Sequence, residues 1–321
     1  MPSAGALLCL ASAVAFGAMG IFGKLAYDDG ATVGTLLSVR FLIAAALFWV
    51  LVLCSGAARH LRALSRRDVC TALALGGAGY SAQAGAYFAA LNRLDASLLS
   101  LLVYTFPAMV TVAAIALGRE RANLRASAAL ALSSAGLVLV LAGAASGSLD
   151  PVGTLLGLSA AVIYTTYILT SAGIAGRVDP LVLSALVCTG AATTLTLGSA
   201  VRGDLHPEAL SPAGFGWLAG IAVVSTVIAV TLFFAGLRRV GPTTASILSM
   251  AEPVTTVCLA YLAFGESLRP AQLVGGALVL AAVPVLATAR RRPRVSELLA
   301  PQERTHAPEL IGAGAPGRPG P

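Results

Sequence analysis

Glu252 is a carboxylate in a place where carboxylates are rare. It falls near the centre of an apolar stretch, about ten residues from either edge, and ionised carboxylates at a membrane-helix centre cost on the order of 3 kcal/mol or more. The next residue, Pro253, removes a backbone hydrogen bond and bends the helix, freeing a carbonyl. Two readings follow. In one, Glu252 lines a cavity and binds a cationic or amino group, or takes up a proton. In the other, it is a protonated, hydrogen-bonded group that fixes helix packing. The default for an intramembrane carboxylate is function.

Other polar groups in apolar stretches could join it. Arg40 lies in the outer third of the second stretch and Lys24 near the outer end of the first. Either could hold an anionic ligand group or pair with Asp28, Asp29 or Glu252, and Lys24 could equally snorkel to the interface. An Arg40–Glu252 pair would neutralise itself and act as a gate. Tyr80, Gln83 and Tyr87 are spaced by three and four, so they share one helical face. Tyr104 stands three residues before Pro107, and Tyr164 and Tyr167 lie in a later stretch. A polar and aromatic face suits an amphiphilic ligand. The alternative is an interfacial belt, which fits Tyr87 best.

These residues need a scaffold, and the composition says which kind. Of 321 residues, 57% are hydrophobic and 11% charged, and the mean hydropathy is +0.87. Soluble domains carry about a quarter charged residues, so the chain reads as an integral membrane protein. The net charge of +7 sits in arginines of loops and tail without aromatic patches, which argues for topology rather than nucleic acid. No GxxxxGK[ST] loop, HExxH or cluster of His and Asp appears, so neither ATP hydrolysis nor a membrane-embedded enzyme is expected. No cofactor or metal site is expected either. The five cysteines show no CxxC and read as small buried hydrophobes.

At roughly 20 apolar residues per crossing, an all-α polytopic bundle of about ten transmembrane helices fits. They are expected near 4–27, 32–53, 69–91, 96–117, 126–144, 152–174, 181–201, 214–236, 242–263 and 271–288. Asp150-Pro151, Asp179-Pro180, Ser211-Pro212, Gly241-Pro242 and Arg269-Pro270 mark helix starts. Arg59, Arg62, Arg66, Arg67, Arg119, Arg121, Arg125, Arg177, Arg238, Arg239 and the tail arginines fall on one side, against Arg93, Arg202 and Arg269 on the other. By the positive-inside rule, both termini are expected in the cytoplasm of a cell with a multi-pass plasma or inner membrane protein.

The two halves match at an offset of about 146: Arg93 answers Arg239, Pro107 answers Pro253 and Glu120 answers Glu266. Near the start of each half, Leu10, Ala13 and Val14 face Leu158, Ala161 and Val162. Two copies of a five-span unit must insert with opposite orientation, the architecture of many secondary transporters. Residues 1–146 and 147–289 are the expected repeats, with 290–321 a cytoplasmic disordered tail. GxxxG spacings at Gly153/Gly157 and Gly216/Gly220 read as close packing within the bundle. Glu120 and Glu266, at helix ends beside arginines, read as interfacial ion pairs or caps.

Pro107 to Glu120, and more clearly Ala251 to Val283, resemble the repeat of the EamA family in the drug/metabolite transporter superfamily. The proline in mid-helix, Gly265-Glu266 at its end, and Gln272, Gly275 and Gly276 in the next span carry the resemblance. Arg40 stands where that family often has an arginine. In the first repeat, Arg119, Phe106 and Ala126 replace Gly265, Glu252 and Gln272. The resemblance implies a ten-span carrier of small metabolites. The expected function is alternating-access transport, in the export direction, of amino acids, related metabolites or organic cations. Coupling to protons through Glu252 and facilitated diffusion both stay open. A scaffold or channel subunit, and a lipid enzyme, are the competing classes.

Overall fold

In the computed structural model, residues 3–91, 93–94, 99, 102–142, 150–264 and 270–287 are described. Every regular element among them is helical. Residues 1–288 form one compact unit. The expected sites Gly265, Glu266 and Arg269, the side chain of Gln272, and the tail from Arg290 lie outside the described residues.

The first half contributes α1 (Ala4–Asp28), α2 (Val33–Cys54), the short α3 (Ala58–Arg62), α4 (Arg66–Ala74), α5 (Ser81–Leu91), α6 (Phe106–Ala116) and α7 (Leu124–Ala142). The second contributes α8 (Pro151–Ala175), α9 (Pro180–Arg202), α10 (Pro212–Ala222), α11 (Ala229–Val240), α12 (Pro242–Ser249), α13 (Ala251–Phe264) and α14 (Pro270–Ala287). A π-helical turn, Leu75–Tyr80, joins α4 to α5, and another, Val223–Ile228, joins α10 to α11. Among the described residues, six helical stretches are long and apolar enough to cross a membrane: Ala4–Asp28, Val33–Cys54, Pro151–Ala175, Pro180–Arg202, Pro212–Val240 and Pro242–Ala263. Shorter apolar helices cover Phe106–Ala116, Leu124–Leu139 and Leu273–Val285.

Helix starts follow local chemistry. The first N–H groups of a helix lack intrahelical partners, and a side-chain oxygen at the preceding residue satisfies one of them. Asp150 accepts from the Gly153 N–H at 2.6 Å, Asp179 from Leu181 at 3.0 Å and Ser211 from Gly214 at 2.9 Å, each with proline opening the helix. At the start of α12 the cap comes from the other half: Glu120 Oε1 accepts from the Thr243 N–H at 3.4 Å. Of the two expectations for Glu120, this is capping.

The halves interlock rather than sit side by side. α2 packs on α9 and α7 on α14, the same positions in each half. Two further pairings mirror each other: α8 packs on α5 and α6, and α1 on α11 and α13. With lipid as the alternative solvent, small residues and interhelical hydrogen bonds hold such contacts, the latter at about 0.6 kcal/mol each. Ser12 donates to the Ala229 carbonyl at 2.8 Å, Ser225 to that of Ala15 at 2.8 Å, and the Trp49 indole to Thr189 at 2.9 Å. Backbones meet where glycines stand: a Cβ on Gly136 would reach the Gly275 carbonyl oxygen.

Three sequence expectations need correction. Cys9 and Cys188 are buried, whereas Cys54, Cys70 and Cys258 are exposed on the outside of the bundle, where a small apolar group is at home against lipid. Gly153, Gly157 and Gly220 do meet side chains of neighbouring segments, but a Cβ on Gly216 would meet nothing within 4 Å. The helix breaks also lie upstream of the prolines. The turn falls at Met250 rather than at Pro253, and at Tyr104–Thr105 rather than at Pro107. Proline at position i clashes with the carbonyl of i−4 and leaves it unbonded. The helix therefore fails in the turn before the proline, and the proline becomes part of the first turn of the helix that follows.

Candidate functional site

Glu252 owes its position to that break. It sits in the first turn of α13, at the end of a helix whose N–H dipoles favour negative charge. Pro253 follows it. Gly17 of α1 lets the two backbones approach closely, since a Cβ there would stand 2.9 Å from the Glu252 carbonyl oxygen. Thr256 secures this contact by donating to the Gly17 carbonyl at 3.0 Å and to the Glu252 carbonyl at 3.1 Å. The carboxyl itself lies within reach of the Tyr104 hydroxyl.

Arg40 is 2% exposed and held on every side. Its Nε donates to Thr226 Oγ1 at 2.8 Å, Nη1 to Met19 Sδ at 2.9 Å and Nη2 to Tyr80 Oη at 3.3 Å. The guanidinium carbon lies 4.8 Å from the centroid of the Phe41 ring, a cation–π contact. Thr226 belongs to one π-helical turn and Tyr80 to the other, so Arg40 clasps the two together.

A run of rings leads from one charge to the other. Phe41 meets Tyr80 edge-on at 4.9 Å between centroids, Tyr80 meets Tyr167 at 6.3 Å and Tyr167 stacks on Tyr164 at 6.1 Å. Tyr164 meets Phe106 at 4.6 Å, and Phe106 meets Tyr104 at 5.7 Å, beside Glu252. From Tyr80 to Tyr104 the arc forms one wall of a cavity of about 590 Å3 between the two halves. That volume falls in the range of small-molecule pockets.

The cavity gathers Glu252, Arg40, Tyr80, Gln83, Tyr104, Tyr164, Lys24 and Pro253 from the sequence reading. Pro107 is buried at the start of α6. Arg40 and Glu252 do not form the ion pair that the sequence left open, because hydrogen bonds to Thr226 and Tyr80 direct the guanidinium elsewhere. Asp29 accepts from Ser211 Oγ at 2.9 Å and from the Trp217 indole at 3.0 Å. Tyr87, which sequence position favoured as an interfacial belt, lines the cavity.

Several contributors escaped the sequence reading, among them Gly17 and Thr256 at Glu252 and Phe41 at Arg40. Thr226 and Met19 hold Arg40, and Tyr27 and Phe233 line the cavity. Hydroxyls and apolar rings are common in membrane helices, and only the folded partner gives these a role. Tyr27 alone carried a signal, lying three residues after Lys24 and so on the same helical face.

Comparison with known proteins agrees with this arrangement. The profile of the EamA-like transporter family matches residues 3–142 and again 151–288. The chain is 27% identical over 279 residues to YcbK of Bacillus subtilis strain 168, named an uncharacterized transporter, covering 85% of this chain and 89% of that one. It is 30% identical over 200 residues to an uncharacterized transporter of Archaeoglobus fulgidus, covering 61% and 69%. A solved crystal structure superposes with a TM-score of 0.76 at 19% identity, covering 91% of this chain and all of the other, and so shares the fold. With both halves matched and the cavity between them, the chain belongs to the EamA-like transporter family.

Proposed function

We propose that the chain is a ten-span secondary transporter built as two inverted repeats, residues 1–146 and 147–289, with a cytoplasmic tail at 290–321. It exports small amphiphilic metabolites that carry an amino or cationic group: amino acids, related metabolites or organic cations. Glu252 receives the amino group, the aromatic arc receives the apolar part, and Arg40 or Lys24 receives a carboxylate where the ligand has one. Both termini face the cytoplasm of a plasma or inner membrane. Transport proceeds by alternating access, the halves rocking about the central site, with protons as the coupling ion where Glu252 titrates. Catalysis has no part in this reading.

One observation carries it. A single acidic side chain lines a pocket of ligand size, opposite a clasped arginine and joined to it by rings. The lining reaches Lys24, Tyr27 and Tyr87, near helix ends that the arginine bias assigns to the outer face. At the other end, Gly5 packs under Arg239 and Val240, and Glu120 caps α12. A cavity whose lining extends to one end of the bundle, with close contacts at the other, supports the reading of a carrier in one of its two states.

Counterflow in proteoliposomes tests this, with labelled amino acids, polyamines and small organic cations at two pH values. Saturable exchange of one class is expected, with Glu252→Gln abolishing it while the protein elutes as a folded species. Exchange at the wild-type rate in both Glu252→Gln and Glu252→Leu would remove Glu252 from the mechanism. Silence across the panel from folded protein would favour a scaffold.

A further inference from the structure

A second cavity, of about 490 Å3, lies where the start of α4, the end of α6 and the end of α8 meet. Three arginines from three separate segments line it: Arg67 of α4, Arg119 after α6 and Arg177 after α8. The arginine bias places all three on the cytoplasmic side. Topology explains why they lie on one side; it does not require them to converge on one pocket.

Two of the guanidinium groups are held by backbone carbonyls, Arg177 by a carboxylate as well. Arg119 Nη1 donates to the Leu169 carbonyl at 2.6 Å and Arg177 Nη1 to the Gly173 carbonyl at 2.7 Å. Asp68 brings the one carboxylate among the lining residues, and both its oxygens are engaged. Oδ1 accepts from Arg177 Nη2 at 2.8 Å, and Oδ2 from Ser65 Oγ at 2.8 Å. Those two contacts hold the Asp68 carboxyl below the usual carboxylate range, so it stays ionised at neutral pH. Three cations against one anion leave an excess of two positive charges, surrounded by the hydroxyls of Thr71 and Thr170.

We propose that this pocket binds a phosphate group. Guanidinium forks match phosphate oxygens in pairs, and fixed forks lose little freedom on binding. Two sources present that chemistry at the inner surface: the headgroup of an anionic phospholipid, whose leaflet attracts such basic pockets, and soluble phosphate. The site is separate from the central cavity, so its occupancy can be read without any transport assay.

Native mass spectrometry of the full chain, released from micelles doped with phosphatidylglycerol or phosphatidylcholine, reads the lipid arm. Thermal unfolding with millimolar inorganic phosphate in zwitterionic detergent reads the soluble one. Phosphatidylglycerol retention about tenfold above phosphatidylcholine is expected, falling to parity in Arg67→Gln/Arg177→Gln and rising in Asp68→Asn. Arg59→Gln, on the same side but outside the pocket, is expected to behave as wild type. A stabilisation by phosphate lost in the double variant supports the site and assigns it to a soluble ligand. Parity in the wild type without phosphate stabilisation overturns the proposal, as does an equal loss in Arg59→Gln.

Discussion

The two π-helical turns occupy the same place in the two halves and are held by opposite means. Leu75–Tyr80 reads LGGAGY and lies backbone to backbone on α9, where a Cβ on Gly76 would fall on the Val187 carbonyl oxygen. Val223–Ile228 reads VVSTVI and holds its neighbours through hydroxyls, Ser225 on the Ala15 carbonyl and Thr226 on Arg40. In each, a hydroxyl bonds the carbonyl five residues earlier: Ser81 to Gly76 at 3.3 Å and Thr226 to Ile221 at 3.1 Å. An extra residue in a helical turn re-aims the side chains that follow, and such turns gather at functional sites. Here each presents one group to Arg40. A duplicated backbone feature has been kept while its packing diverged, one copy through absence of side chain and the other through polar side chains.

The sharpest break of that contrast is Gly76→Ala. With the Val187 carbonyl in the way, the added methyl forces α4 off α9 at a cost of about 3 kcal/mol, the upper end of overpacking. The equivalent position holds Val224, so Val224→Ala is expected to be mild; equal melting points for the two variants in detergent would erase the contrast. Thr226→Val comes next. It leaves a buried guanidinium N–H without its acceptor, at about 2 kcal/mol, and a melting temperature within a degree of wild type would mean that Arg40 does not depend on the clasp. Smallest is Ser225→Ala, which removes one interhelical bond worth about 0.6 kcal/mol. Thermal unfolding that ranks it above Thr226→Val would place the weight of the second turn on α1 instead of on Arg40.

Much of the site was legible because its residues are improbable where they stand. A glutamate, an arginine and a lysine inside apolar stretches attract notice from composition alone, and the 3–4 spacing of Tyr80, Gln83 and Tyr87 marks a face. Helix starts were legible through Asp-Pro and Ser-Pro pairs, whose capping bonds the structure shows. The π-helical turns were not. An amphipathic helix would betray an inserted residue by a shift of its apolar stripe, but helices apolar all round have no stripe to shift. The adjacent Gly76 and Gly77 leave room for close packing but do not name its partner. Thr226 was silent for a further reason: its partner Arg40 lies 186 residues away.

The interlocking of the halves also bears on how the chain is made. Ser12 waits for a carbonyl 217 residues downstream, at Ala229. At about 5–20 residues per second of synthesis, α1 spends on the order of 10–40 s in lipid before α11 emerges from the ribosome. Its buried face is Gly5, Ala6, Cys9, Ser12 and Ala13, a ridge of small groups with few polar atoms to leave unsatisfied. Such a surface can idle among acyl chains at little cost and still admit its late partner closely. The glycines and alanines of α1 thus serve the nascent protein as well as the finished one.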